Sequence, residues 1–306
     1  MADIAVLNQD YGIAGKVNFK AGPGDLPLVE LSSTHGSAVV ALQGGHLLSW
    51  IPRGEKPVIW LSKDAKFASG KSIRGGVPVC WPWFGPHPRE TSFPAHGFAR
   101  TASWRVIGAE DYGDAGTRLV LRLEQNDASR RYWPLSTEVT MRISLGAALE
   151  IELITRNTGE VPITVGEALH TYFEVSDVRE IAIRGLENCE FLDKVDGGKS
   201  KRQQGPVTFS GELDRVYLNT SSDCLIDDVG INRRIRISKR GSRSTVVWNP
   251  WYEKAAKMGD LGEEGFLNMV CVESANAADD TVSIAAGDEH QLAAIYRVEP
   301  LSIPHS

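Results

Sequence analysis

Apolar and polar residues alternate with a period of two along much of this sequence, and this pattern constrains the fold most. Apolar residues occupy every second position from 139 to 145, and the alternation resumes from 149 to 153 after Gly146. Successive side chains of a β-strand point to opposite faces, so each stretch predicts a half-buried strand and the two together predict a hairpin. Further strands are predicted at 119–123, 234–238 and 245–248.

Helical periodicity is scarce, and the best candidate is the short stretch from about Trp251 to Met258. A parallel sheet would need crossover helices between its strands, so the pattern favours an antiparallel all-β protein with few short helices. The 30 glycines and 15 prolines would serve its many turns. No linker or shift in composition divides the chain, so we expect a single domain over residues 1–306, made of two large packed sheets.

Residues 72–86 depart from the strand pattern because they are rich in Gly, Pro and Trp. Several indole rings left in water would be costly, so the stretch predicts an ordered loop whose aromatic rings are packed. Ordered loops often carry functional sites.

Charge and motif content exclude several classes of function. The formal charge of −6 is spread along the chain without a basic stripe, so we expect neither nucleic acid nor membrane as a partner, but a small molecule. The four cysteines are scattered, and no nucleotide-binding or metal-ligand motif occurs, so we expect no cofactor and no metal. The N-terminus does not resemble a signal peptide, and we expect a cytoplasmic monomer.

Two titratable residues, His170 and Glu273, stand in apolar, strand-like runs about a hundred residues apart. A buried His with a buried carboxylate is the minimal set for moving protons at neutral pH. A lone His in a strand is more often structural, and a structural salt bridge would also explain the pair. The residues alone leave a catalytic pair and a structural pair equally open.

Other candidates have a structural explanation that the residues alone do not exclude. Arg74 and Arg100 stand near glycines and could bind an anion through their planar guanidinium groups, or could simply pair with surface acids. Asp214 could merely hold Arg215, and His46 is the weakest candidate. Four tryptophans could form a sugar-stacking platform, although core packing is the commoner role; they are Trp81, Trp83, Trp248 and Trp251.

Several short motifs become specific through their combination and order. They are Gly44-Gly45-His46, Ile73-Arg74-Gly75-Gly76-Val77-Pro78, His96-Gly97-Phe98-Ala99-Arg100, Gly166-Glu167-Ala168-Leu169-His170-Thr171-Tyr172-Phe173, Leu213-Asp214-Arg215-Val216-Tyr217, Val247-Trp248-Asn249-Pro250 and Cys271-Val272-Glu273. Over about residues 25–298 the chain resembles the galactose-mutarotase-like superfamily of aldose 1-epimerases, and within it the D-hexose-6-phosphate mutarotases, or glucose-6-phosphate 1-epimerases. The resemblance implies a large antiparallel β-supersandwich.

The resemblance also implies a role for each matching residue. His170 matches the catalytic acid and Glu273 the catalytic base. Asp214 and His96 match residues that bind the sugar. Arg74 and Arg100 match the positions that bind the phosphate of a hexose 6-phosphate. Some relatives have a ligand-binding Gln before the motif histidine, where this chain has Ala95.

The implied function is therefore interconversion of the α and β anomers of a hexose 6-phosphate. Alternatives are an aldose 1-epimerase acting on free sugars and a non-catalytic carbohydrate-binding protein. A glycosidase would need a second carboxylate beside Glu273, such as Glu167 or Asp214.

Overall fold

The computed structural model describes residues 3–301, so the two ends of the expected 1–306 domain lie outside the described residues. The first nine strands are β1 (Val17–Ala21), β2 (Pro27–Ser33), β3 (Gly36–Ala41), β4 (His46–Pro52), β5 (Val79–Cys80), β6 (Trp104–Asp111), β7 (Thr117–Leu123), β8 (Thr137–Leu145) and β9 (Leu149–Asn157). The next seven are β10 (Ile163–Val165), β11 (Glu167–Leu169), β12 (Tyr172–Glu174), β13 (Ile181–Arg184), β14 (Glu190–Asp193), β15 (Lys199–Arg202) and β16 (Leu213–Tyr217). The last six are β17 (Cys224–Asp228), β18 (Arg233–Arg240), β19 (Ser244–Asn249), β20 (Met269–Asn276), β21 (Val282–Ile284) and β22 (Glu289–Pro300).

Helices are short. The α-helices in the described part of the chain are α1 (Ile4–Tyr11), α2 (Asp127–Tyr132) and α3 (Trp251–Ala255). Single 3₁₀ turns lie at Pro23–Asp25, Ala99–Thr101, Gly113–Ala115, Val229–Ile231, Gly265–Asn268 and Ala278–Asp280. Between residues 3 and 301, no helix has the length and apolar character needed to cross a membrane.

The strands form two large antiparallel sheets and two smaller ones. The site sheet has the order β15-β14-β16-β19-β20-β11-β5, with β12 also paired to β20. The far sheet has the order β13-β17-β18-β22-β9-β8-β7-β6, while β1 to β4 form a four-stranded sheet and β10 pairs with β21. Every paired strand runs antiparallel to its neighbour, which confirms the predicted all-β class.

The largest apolar core lies between the two large sheets. The far sheet contributes every second residue of β7, β8 and β9, including Leu121, Ile143 and Ile151. The site sheet contributes residues such as Val247 and Val272. The alternation read from the sequence is therefore the alternation between this core and the outer face of each sheet.

Most sequence-predicted elements are confirmed. The predicted hairpin is β8 and β9, with Leu145 opposite Leu149, and the other three predicted strands are β7, β18 and β19. The predicted helix begins as expected but ends at Ala255, and the chain then continues in turns. Helices α1 and α2 were not predicted, because each has eight residues or fewer, α1 buries no residue fully and α2 buries only Ser129.

The loop over residues 72–86 is ordered and its aromatic rings are packed, as predicted. Trp81 is fully buried, and its Nε1 donates a hydrogen bond to Thr155 Oγ1 of β9 at 3.0 Å. Trp83 donates Nε1 to the carbonyl oxygen of Pro94 and stacks on Phe93. The Trp81 contact crosses from the loop to the far sheet and so fixes the loop to the sandwich.

Candidate active site

A cleft of about 470 Å³ opens on the face of the site sheet that is turned away from the core. This volume is typical of small-molecule sites, which range over about 300–1,000 Å³. The cleft is lined by all six residues that the sequence analysis assigned to acid/base chemistry or to ligand binding: Arg74, His96, Arg100, His170, Asp214 and Glu273. Residues far apart in the sequence therefore meet in one place.

The floor of the cleft is made by three neighbouring strands of the site sheet. Val246 of β19 lies opposite Glu273 of β20 on one side and opposite Val216 of β16 on the other. Asp214 lies opposite Trp248. Because side chains alternate along a strand, all of these residues project to the same face, which is the cleft.

His170 does not lie within a strand, although the sequence suggested a continuous one. Strand β11 ends at Leu169, β12 begins at Tyr172, and both pair with β20. The interruption brings the His170 ring against β20, where its Nε2 lies 3.3 Å from Glu273 Oε1. The two side chains are only 12% and 1% exposed, so they meet almost out of contact with water.

Burial shifts the pKa values of Glu273 and His170 in opposite directions. Desolvation, strengthened by the negative charge of Asp214, raises the pKa of Glu273 well above its usual value. Desolvation lowers the pKa of His170 well below its usual value, and nearby His96, Arg100 and Arg74 add to the effect. Both shifts favour the neutral forms, so a proton shared by the pair is favoured on Glu273 over His170.

Aromatic rings fix the orientation of His170. The Tyr172 ring stacks on it with centroids 5.1 Å apart and an interplanar angle of 16°. Trp248 and His96 approach it edge-on, with centroids at 6.0 and 5.8 Å. Packing on three sides leaves the imidazole little freedom to rotate away from Glu273.

Arg74 is held at the wall of the cleft by two side chains. Its Nε donates to Asp260 Oδ1 and its Nη1 donates to the Tyr172 hydroxyl, both at 3.0 Å. The sequence left open whether Arg74 pairs with an acid or binds an anion, and the structure shows that it pairs with an acid while lining the cleft. Asp260 was not identified from the sequence, because it lies in a turn about 190 residues away, between Gly259 and Gly262.

His46, the weakest sequence candidate, lies beneath the turn that follows Arg74 rather than in the cleft. It is fully buried, and its Nε2 donates to the carbonyl oxygen of Gly75 at 2.8 Å. Burial lowers its pKa to about 4, so the ring is neutral. A Cβ on Gly76, whose φ is +67°, would lie 2.5 Å from His46 Nε2, which explains the glycine.

His96 and Arg100 come from one short motif and have different surroundings. The Nδ1 of His96 accepts a hydrogen bond from the Gly85 amide at 3.4 Å, which assigns the ring proton to Nε2. Burial, together with Arg100 and Arg74, lowers the pKa of His96 to about 4, so the ring is a neutral donor. Arg100 donates Nη2 to the carbonyl oxygen of Ala95 at 2.8 Å.

Asp214 does not hold Arg215, so that alternative is wrong. Arg215 donates to Gln203 and lies over the Phe191 ring, with its guanidinium carbon 4.6 Å from the ring centroid. Asp214 lines the cleft instead, where desolvation raises its pKa.

Two lysines that sequence reasoning missed also line the cleft. Lys254 and Lys194 both oppose the rise in the pKa of Asp214. Lys254 is fixed by an ion pair with Glu212 at 2.6 Å. Neither lysine stands in a distinctive motif, so nothing in the sequence separates them from surface lysines.

Among the four tryptophans considered as a stacking platform, only Trp248 lines the cleft. Trp81 and Trp83 are packed in the loop described above, and Trp251 packs against Phe266. Core packing therefore accounts for three of them, as the commoner role of tryptophan predicted.

Glu167 is fully buried but does not line the cleft, so it is not placed to serve as the second carboxylate of a glycosidase. It accepts a hydrogen bond from Thr155 Oγ1 at 3.1 Å, and His290 Nε2 lies 3.5 Å from its other oxygen. Burial raises its pKa to about 8, so it is protonated at neutral pH.

Among residues 3–301, no cluster of three or more His, Cys, Asp or Glu side chains has the arrangement of a metal site. The four cysteines are free thiols, and Cys80 Sγ lies 3.5 Å from His96 Nδ1 at the edge of the cleft.

Comparison with known proteins gives a consistent result. A family model described as aldose 1-epimerase matches residues 27–297. A protein of Salmonella typhimurium, provisionally named glucose-6-phosphate 1-epimerase, is 40% identical over 254 residues, which cover 83% of this chain and 84% of the relative. A protein of Cenchrus ciliaris with the same provisional name is 35% identical over 263 residues, covering 82% and 78%. The crystal structure of a provisionally named mutarotase from Salmonella typhimurium has a TM-score of 0.86 at 35% identity and covers 93% of this chain and 94% of its own.

Gly97→Ala should displace the turn that carries His96. Gly97 and Gly85 have nearly equal φ values of +71° and +73°, but a Cβ on Gly97 would lie 1.9 Å from the Trp81 carbonyl oxygen, whereas one on Gly85 meets nothing within 4 Å. Both changes should carry the cost of a left-handed residue, about 1–2 kcal/mol, and Gly97→Ala should lower the free energy of unfolding further. Urea unfolding of the two variants provides the test, and equal losses would contradict it.

Glu167→Gln should flatten the pH dependence of stability. The folded state keeps the Glu167 proton up to pH about 8, whereas the unfolded chain releases it near 4.5, so this contribution is full below pH 4.5 and lost as pH rises through 8. The loss should be on the order of a few kcal/mol. Free energies of unfolding from pH 5 to 9 should fall less steeply for Glu167→Gln than for wild type. The exposed Glu253→Gln is the control, and a slope unchanged in Glu167→Gln would refute the assignment.

Proposed function

The chain belongs to the aldose 1-epimerase family, and from this premise we propose that it interconverts the α and β anomers of a hexose 6-phosphate. The observation that carries the proposal is the contact between His170 Nε2 and Glu273 Oε1 at 3.3 Å, in a cleft also lined by Arg74 and Arg100. An acid and a base in contact suit a reaction that moves two protons on neighbouring oxygens.

Ring opening needs one proton removed and one supplied. Glu273 takes the proton of the anomeric hydroxyl while His170 gives a proton to the ring oxygen. The bond between C1 and the ring oxygen breaks, and the electron pair of the anomeric O–H bond forms the carbonyl. The two residues together neither gain nor lose a proton, so water need not take part.

Reclosure reverses the roles. After rotation about the C1–C2 bond, the C5 hydroxyl attacks the other face of the carbonyl. His170 then recovers its proton from that hydroxyl, and Glu273 returns a proton to the anomeric oxygen, as microscopic reversibility requires. The product is the other anomer, and the pair is back in its initial state.

The charge of the cleft supports an anionic substrate. Four basic residues line it, namely Arg74, Arg100, Lys194 and Lys254, although the chain as a whole has a formal charge of −6. A concave site with local positive charge concentrates anions. In a hexose 6-phosphate the phosphorylated C6 is attached to C5, which is bonded to the ring oxygen. A phosphate beside the two arginines therefore suits a ring oxygen that faces His170.

We assign recognition of the sugar itself to Asp214 and His96. Asp214 is an acceptor on the floor of the cleft, where it is the neighbour of Trp248 on the adjacent strand, and Lys254 and Lys194 favour its ionised form. His96 is neutral and offers an Nε2–H donor. An acceptor and a donor that line the same cleft as the catalytic pair are suited to hydroxyl groups.

We further propose that the whole chain acts as one domain and as a monomer in the cytoplasm. All six site residues come from a single chain, and none of the proposed roles needs a second copy. Sedimentation analysis would test the monomer.

Removal of either proton carrier should nearly abolish activity. Positioned proton transfer contributes about 10²–10⁴-fold in rate, so Glu273→Gln and His170→Asn should each reduce anomer exchange of glucose 6-phosphate by that factor. Saturation-transfer NMR measures the exchange directly, and circular dichroism checks that the variants fold. Exchange near the wild-type rate in a folded variant would rule out the mechanism, and a bound but unconverted sugar in the wild type would favour a carbohydrate-binding protein.

Arg74→Met should weaken the preference for phosphorylated sugars. A hydrogen bond to a charged group contributes about 1.5–3 kcal/mol, so two arginines should give a preference on the order of 10²–10⁴-fold for glucose 6-phosphate over glucose. Losing one should raise KM for glucose 6-phosphate by about 10–100-fold. Lys257→Met, which removes an exposed lysine beyond α3, is the control. Equal turnover of glucose and glucose 6-phosphate by the wild type would favour a general aldose 1-epimerase.

A further inference from the structure

Arg100 differs from Arg74 in how its charge is compensated. Arg74 is paired with Asp260 at 3.0 Å. Arg100 donates to the Ala95 carbonyl oxygen, and no carboxylate of residues 3–301 lies within ion-pair distance of it. Its positive charge therefore faces the cleft without a protein counter-ion.

This charge acts on the catalytic pair. The groups that face His170 are Glu273 at 3.3 Å, the His96 ring at 5.8 Å between centroids, and the two arginines. Arg74 is held by the hydroxyl of Tyr172, whose ring stacks on the imidazole. Apart from Glu273, each of these groups disfavours a protonated imidazole, as does burial. Glu273 faces Asp214, which favours its protonated form.

These charges favour the shared proton on Glu273, whereas ring opening as proposed begins with the proton on His170. Moving it requires transfer from the carboxyl group to His170 Nε2 across the 3.3 Å contact. The transfer separates charge in a buried site, and it becomes easier when an anion compensates the arginines.

We propose that a tetrahedral dianion bound beside Arg100 and Arg74 switches the pair into its reactive form, so that the chain also anomerises free aldopyranoses when a separate dianion occupies the cleft. The inference rests on the proposed function and extends it. The substrate's phosphate is then part of the catalytic apparatus as well as a handle for binding, and its binding energy lowers the barrier at the anomeric carbon.

The test divides the substrate into two pieces. D-Xylose has the ring of glucose without the C6 group, and phosphite supplies the missing dianion. Anomer exchange of xylose is measured by saturation-transfer NMR at fixed ionic strength with increasing phosphite. Phosphite itself catalyses mutarotation. The exchange rate measured with Glu273→Gln at each phosphite concentration is therefore subtracted from the wild-type rate at the same concentration.

Phosphite should raise kcat/KM for xylose by at least about tenfold, which corresponds to a shift of one pKa unit at His170, and the effect should saturate. Phosphite that fails to stimulate xylose anomerisation, or that inhibits it, would overturn this inference alone if the enzyme still turns over glucose 6-phosphate. Failure to turn over glucose 6-phosphate would overturn the proposed function as well.

Arg100→Gln separates a switch from a handle. Without the uncompensated charge, turnover of xylose in the absence of phosphite should rise and the response to phosphite should disappear. A residue that only holds phosphate would leave the unstimulated rate unchanged, and that outcome would overturn the inference. Arg156→Gln, which removes an exposed arginine from β9 of the far sheet, should behave as wild type.

A spectroscopic measurement on the wild-type protein avoids reliance on variants. The imidazole resonances of ¹⁵N-histidine-labelled protein are titrated with and without phosphite, and the His170 signal is assigned by its loss in His170→Asn. Phosphite should raise the pKa of His170. A His170 titration curve that does not move at saturating phosphite would overturn the inference.

Discussion

The register of β20 is the constraint on which the site depends. All eight residues of this strand are buried, but they are buried against two different surroundings. Val272 enters the core between the large sheets, while Glu273 enters the cleft. A slip of one residue in the pairing with β19 would exchange these positions and place a carboxylate in the apolar core. The free energy gained by packing Val272 in the core therefore also fixes the position of the proposed base, Glu273.

Local regularity decides how much of this arrangement can be predicted from sequence. The hairpin of β8 and β9 was predicted because both strands are regular and face the core on one side only. The break at His170 was not, because apolar neighbours on both sides of a buried strand hide the interruption. The six site residues were found through the order of several motifs, whereas Lys194, Lys254 and Asp260 lie outside any motif. Their contribution depends only on where the fold places them.

Buried carboxylates in this fold have contrasting surroundings. Glu167 lies behind the site, where burial keeps it protonated and its Oε2 accepts a hydrogen bond from Thr155, while its Oε1 has no hydrogen-bond partner among the described residues. Glu273 lies on the cleft side, and its Oε2 has no hydrogen-bond partner among the described residues. An unsatisfied buried oxygen is costly in a folded protein. Of the two carboxylates only Glu273 lines the cleft, where a bound substrate would supply the partner.

The contacts of Arg74 have a consequence for the entropy of binding. A free arginine side chain loses about 2 kcal/mol of rotamer entropy when it is immobilised. Here Asp260 and Tyr172 already fix Nε and Nη1, so that loss occurs during folding rather than when a ligand arrives. The three remaining N–H bonds of the guanidinium stay available in a fixed plane. A lysine at this position would keep the charge but could not make the same two anchoring contacts in one plane, so a ligand would have to immobilise it.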